Sequence, residues 1–231
     1  MNFQLKGILI FLIGIFFLVS SCRTKPEIKP IEVNKSSVIV FEFVDKRNLN
    51  LFGAGSFNEV WLLRVDDKAN SYSNMELIQS NYQSIRSIYF LNIKPGQYVI
   101  AGATSAANLP DGKKFKDWIV FDKESREKSK FIVKPGELTL HGQYVGNNSI
   151  EATKDTDPEL VQIGLKIFPG FANAWSTKPV DTSGTYDRFP ITNISLIGKF
   201  IYENKSPEKI EEIKSNAKKD LADTEWSYLI K

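Results

Sequence analysis

The chain carries 30 basic and 27 acidic side chains in 231 residues, with a single histidine and a single cysteine. A formal charge of +3 gives no electrostatic footprint for nucleic acid, which needs basic residues clustered on one face. One cysteine excludes an intrachain disulfide, and one histidine leaves no Cys/His set for a zinc site. No cofactor is therefore expected, and the 12% aromatic content has to build the core.

At the N-terminus one charged residue, Lys6, precedes an apolar run from Gly7 to Val19, and Val19-Ser20-Ser21-Cys22 follows. The run has 13 residues, fewer than the roughly 20 of an uninterrupted transmembrane helix and within the roughly 7–15 of a signal-peptide core. A small residue directly before the cysteine resembles the lipobox of bacterial lipoprotein signal peptides. The resemblance implies removal of residues 1–21, diacylation of the Cys22 sulfur, and attachment to a membrane through the acyl chains. Two such chains give stable anchoring. A plain secretory signal or a retained anchor is the alternative. Cys22-Arg23-Thr24 lacks the aspartate that retains such lipoproteins in the inner membrane. The resemblance thus implies the cell envelope, with the outer membrane favoured and the periplasmic or surface face left open.

Residues 23–35 read RTKPEIKPIEVNK, without an apolar period. Proline-rich segments extend at about 3.1 Å per residue, so residues 22–36 are expected to be a tether reaching up to ~40 Å from the bilayer. Short apolar runs separated by turn residues come next, the pattern of a β-sandwich or barrel, and one domain of this size is usual for such folds. Strands are expected at 38–44, 59–65, 75–79, 85–93, 97–103, 118–121, 130–133, 137–145, 160–167 and 193–203. Alternation in 137–144 puts Leu138, Leu140 and Tyr144 on one face and Glu137, Thr139, His141 and Gln143 on the other. Val161, Ile163, Leu165 and Ile167 repeat it. Residues 38–41 and 60–63 are apolar on both faces, so these strands are central or covered on their outer side.

Ile93-Lys94-Pro95-Gly96 and Val133-Lys134-Pro135-Gly136 are near copies 40 residues apart. Pro supplies φ near −65° and Gly the positive φ of a type II turn, so each copy is read as a strand–turn–strand corner. With their flanks, residues 131–144 and 93–99 resemble prealbumin-like sandwich domains of bacterial lipoproteins. That resemblance covers roughly residues 85–145 and implies an antiparallel β-sandwich, prealbumin- or Ig-like, with no catalytic role. Gly102, Gly142, Gly164 and Gly198 fall inside expected strands, where glycine marks a bulge or a close approach. Gly142 and Gly198 are expected to make room for Trp61 or Trp118.

Catalytic chemistry is hard to place. His141 lies on the polar face beside Glu137 and Gln143 and reads as a solvated surface residue. There is no G-x-S-x-G elbow, and Gly53-Ala54-Gly55-Ser56 precedes a strand rather than opening a helix, against a phosphate cradle. Asp155, Asp157 and Glu159 alternate in a loop and offer oxygen ligands to calcium, but without the EF-hand spacing. No metal is expected, and they read as solvated acids.

Residues 168–190 contain three prolines and the aromatics Phe171, Trp175, Tyr186 and Phe189. A segment of this length is uncommon in a compact domain. It is read either as a cap on one end of the sandwich or as a binding surface formed by those four aromatics. Ser206-Pro207-Glu208 then starts a helix, with Ile210, Ile213, Ala217 and Leu221 at helical spacing. Trp226, Tyr228, Leu229 and Ile230 fall out of register and are expected to tuck in separately.

The expected organisation is a cleaved signal peptide (1–21), a lipidated cysteine and tether (22–36), a mainly β sandwich domain (37–204), and an amphipathic helix with its tail (205–231). The expected role is a lipid-anchored, non-catalytic binding or structural module, with an envelope protein or glycan as partner and no nucleic acid. The alternative is an envelope hydrolase acting on peptidoglycan or glycan through carboxylates the sequence does not single out.

Overall fold

The computed structural model describes residues 26–32, 35–46, 59–65, 76–108, 114–152, 156–171 and 191–230. The strands are β1 (Ser37–Asp45), β2 (Glu59–Val65), β3 (Leu77–Gln79), β4 (Tyr82–Gln83), β5 (Ile88–Ile93), β6 (Gly96–Asn108), β7 (Lys114–Phe121), β8 (Phe131–Val133), β9 (Leu138–Glu151) and β10 (Ile191–Asn204). The helices are α1 (Lys123–Lys128), α2 (Pro158–Ile167) and α3 (Pro207–Leu221), followed by a 3-10 turn at Ser227–Ile230. The strands form one sheet in the order β3-β2-β6-β7-β10-β9-β1-β5-β4, with β8 added to β6. Most pairs are antiparallel, but β1 with β9 and β7 with β10 are parallel. The sheet is therefore mixed, a departure from the antiparallel expectation. Parallel neighbours need crossover connections, and between β7 and β10 the chain makes α1, β8, β9 and α2.

The sheet curls so that its two halves face each other. In a flat sheet β1 and β7 would lie about 14 Å apart, three strand spacings, yet the Phe43 and Phe121 rings approach to 5.3 Å. Ile39, Phe41 and Phe43 of β1 share this interior with Val60 and Leu62 of β2, Ile100 of β6 and Tyr144 of β9. Residues between them point outward and are also buried. Val38 and Val40 of β1, with Tyr89 and Leu91 of β5, lie under Ile213, Ala217 and Leu221 of α3. Trp61 and Leu63 of β2, with Val99 and Ala101 of β6, lie under Leu160, Ile163 and Ile167 of α2. The runs 38–41 and 60–63, apolar on both faces, are thus covered outside by helices.

The expected strand at 160–167 is instead α2. Asp157 caps it, its Oδ1 accepting from the Glu159 backbone N–H at 2.8 Å, and Pro158 opens it. Leu160, Ile163, Gly164 and Ile167 are the buried positions. Over so short an apolar run the same residues fit both a period of two and a helical one, and the cap decides. The strand expected from Ile85 starts only at Ile88, since Ile85 is 88% exposed in the turn after β4. Helix α1 was not anticipated. Asp122 caps it through the Ser125 N–H at 2.9 Å, and its Arg126 side chain is buried, donating to the Phe121 carbonyl at 2.7 Å and pairing with Glu159 of α2.

Helix α3 starts as expected, with the Ser206 hydroxyl accepting from the Lys209 N–H at 3.3 Å and Pro207 in the first turn. Two buried contacts fix it. Lys209 Nζ lies 2.6 Å from Glu42 Oε2 of β1, and that oxygen also accepts from Gln143 Nε2 of β9 at 2.9 Å. At the other end, the Tyr89 hydroxyl donates to Asp220 at 2.7 Å. Burial, then the Asp220 contact, raises the Tyr89 pKa far above its ordinary value, so the hydroxyl keeps its proton.

Glycine marks close approaches, but not to the two tryptophans. A Cβ on Gly198 would lie 2.7 Å from the Ile119 side chain, and one on Gly142 would lie 2.6 Å from the Asn204 carbonyl oxygen. Trp61 and Trp118 pack on each other at 6.0 Å, and Trp118 stacks on Phe168 at 4.6 Å. At Gly164 a Cβ would run into the Phe171 ring. Gly164→Val should therefore displace Phe171 and cost about 1–3 kcal/mol, the usual range for overpacking. Urea unfolding measures it, and unchanged stability would refute the packing account.

Candidate functional site

Strand β9 controls the side chain most relevant to catalysis. Val40 pairs with Leu140 and Glu42 with Gln143, so His141 and Gly142 together oppose Phe41 in a bulge, with Gly142 at φ +84°. The bulge breaks the alternation. Tyr144 joins His141 on the interior side, while Leu138 and Leu140 face α3. His141 is not a surface residue but 8% exposed, its ring 4.1 Å from that of Phe131. Nε2 lies 2.9 Å from the Ser129 carbonyl oxygen and 2.8 Å from the Tyr144 hydroxyl. A carbonyl only accepts, which assigns the proton to Nε2. Burial lowers the His141 pKa to about 4, with the Ser129 hydrogen bond opposing and Lys205 reinforcing the shift. A base this weak, held among aromatic rings, is a core residue.

The other expected site residues disperse. Phe171 is 1% exposed beneath α2 and contributes no free surface. Cys22, Asp155, Trp175, Tyr186 and Phe189 lie outside the described residues. Asp157 is occupied in capping α2, and Glu159 pairs with the buried Arg126, so neither is a free calcium ligand. Among the described residues no group of three or more His, Cys, Asp or Glu side chains converges as for a metal.

The segment read as a tether is docked from Pro26 onward. The Trp226 indole N–H donates to the Ile28 carbonyl at 2.7 Å, and the Tyr228 hydroxyl to that of Ser36 at 2.7 Å. Asn92 holds the stretch between them, donating through Nδ2 to the Lys29 carbonyl at 2.8 Å and accepting from the Ile31 N–H at 2.9 Å. Asn92 has φ +61°, a left-handed conformation that asparagine tolerates better than most residues. This clamp had no visible signal in the sequence beyond the out-of-register aromatics after α3.

Beside the clamp lies a half-open groove of about 320 Å³ between β9, α3 and the C-terminal turn. Its lining includes Leu138 and Leu140 of β9, Leu229 and Ile230 of the C-terminal turn, Lys214 and Lys218 of α3, and Glu137. All four apolar residues are only partly buried. The lining thus joins apolar side chains to two lysines and one glutamate.

No family model, curated protein or solved structure matches the chain. The reading of its function rests on the groove, the clamp and the N-terminal sequence.

The buried His141 makes a prediction. An unfolded histidine titrates near 6.5, above the folded value of about 4. As pH falls through this window the unfolded chain binds the proton first, and stability falls. Between pH 7.5 and 4.5 this one group should remove roughly 2–3 kcal/mol. His141→Gln should lose that component and keep only the slope of the carboxylates. Urea unfolding at both pH values checks it, and identical slopes for the two proteins would count against it.

Proposed function

We propose that this is a lipid-anchored protein of the cell envelope, a binding or structural module without catalysis, attached through acyl chains on Cys22 and favouring the outer membrane. The observation that carries the reading is the docked segment after Cys22, held at Ile28 by Trp226 and at Lys29 and Ile31 by Asn92. Only Arg23, Thr24 and Lys25 separate Cys22 from Pro26, a span of at most about 14 Å. Acyl chains on Cys22 would therefore hold the domain against the bilayer rather than ~40 Å away. Among the described residues no helix is long and apolar enough to cross a membrane, and attachment in this reading comes from the lipid alone.

The sandwich reading, prealbumin- or Ig-like, belongs to the same proposal. The contact of Phe43 with Phe121 supports two facing half-sheets, while the parallel pairs count against an all-antiparallel version. The groove supports the binding role, because half-covered leucines under lysines suit a partner with apolar and anionic parts. An envelope protein or glycan remains the proposed macromolecular partner.

Metabolic labelling with a fatty-acid probe tests the anchor. The wild type should take up label and move with membranes, and Cys22→Ala should do neither. Equal labelling of both proteins would overturn the reading.

A further inference from the structure

We propose that the groove between β9, α3 and the C-terminal turn binds a single-chain anionic amphiphile, a long-chain fatty acid. This deepens the binding-module reading and rests on it, but it does not depend on lipidation of Cys22. Leu138 and Leu140 point to the α3 side of β9 and stay half-covered, with Leu229 and Ile230 beside them. Water against these side chains is unfavourable, and an acyl chain laid along them would displace it. Lys214 and Lys218 lie one helical turn apart and line the same groove. Lys214 is drawn to Glu211 at 3.3 Å, while no carboxylate among the described residues pairs with Lys218. The acid in the groove, Glu137, has Lys134 as its own partner at 3.9 Å.

An occupant with an apolar body and one negative end answers both features. Its chain lies on the leucines and its carboxylate at the two lysines. A volume of about 320 Å³ stands at the small end of ligand sites and suits one chain rather than the paired chains of a phospholipid. Tyr228 lines the groove and also holds Ser36. The groove thus adjoins the docked segment at Ser36, just before β1.

The test uses residues 22–231 with Cys22→Ser and the fluorescent long-chain carboxylate parinarate. Saturable binding is expected, displaced by dodecanoate about tenfold better than by dodecanol and not displaced by acetate. Lys214→Gln with Lys218→Gln, both on the helix surface, should melt like wild type and bind parinarate about tenfold more weakly, a loss of about 1.4 kcal/mol. Absence of saturable binding would overturn the proposal, as would equal displacement by dodecanol with full affinity in the double variant. Sedimentation as a dimer that Leu229→Glu dissolves would assign the groove to a second copy, and so overturn it too. Failure of fatty-acid labelling at Cys22 would leave this result standing, so the two readings fail separately.

Discussion

Strands β1, β2, β5 and β6 carry apolar side chains on both faces, and a single facing layer can dry only one of them. Ile39 and Phe41 go to the interior while Val38 and Val40 go outside, and Val60 and Leu62 go inside while Trp61 and Leu63 go outside. Leaving an outward set in water would forfeit roughly 1.5–3 kcal/mol for each large side chain. Curling the sheet buries the inner set. The outer sets are buried in clusters with α2, which packs on β7 and β6, and with α3, which packs on β9 and β1. The packing of both longer helices follows from this double burial.

Helices laid on apolar surface can slide, and polar contacts set their register here. Lys209 with Glu42 fixes the start of α3, Tyr89 with Asp220 fixes its end, and Arg126 with Glu159 joins α1 to α2. Buried ion pairs of this kind add little net stability compared with an apolar replacement, because desolvation offsets the attraction. Glu42 Oε1 accepts no hydrogen bond among the described residues, which adds to that cost. Their role is positional, and α3 in turn places Lys214 and Lys218 over the outer face of β9.

The turn after α3 connects this scaffold to the proposed function. Trp226 fills the last of the space between α3 and the sheet and turns its indole N–H toward Ile28. Tyr228 reaches Ser36, and Leu229 and Ile230 are left lining the groove. One short segment therefore holds the incoming chain close to the domain and shapes the trough beside it.

The residue pattern alone determined that the chain is mainly β, that 38–41 and 60–63 need cover on two sides, and that a capped amphipathic helix starts at Ser206. These are local properties, carried by alternation and by hydrogen bonds between near neighbours. The same local reasoning took Leu160 to Ile167 for a strand, because a short apolar run satisfies two periods. It also put His141 on the surface, because Leu138 and Leu140 marked the opposite face as the interior, whereas they face α3 and the bulge at Gly142 turns Tyr144 to the side of His141. The parallel pairings, the docking of 26–32 and 35–36, and the groove were decided only by the tertiary structure. Each depends on residues far apart in the chain, such as Trp226 with Ile28 and Val38 with Leu138, and no pattern within either segment encodes which distant surface it will meet.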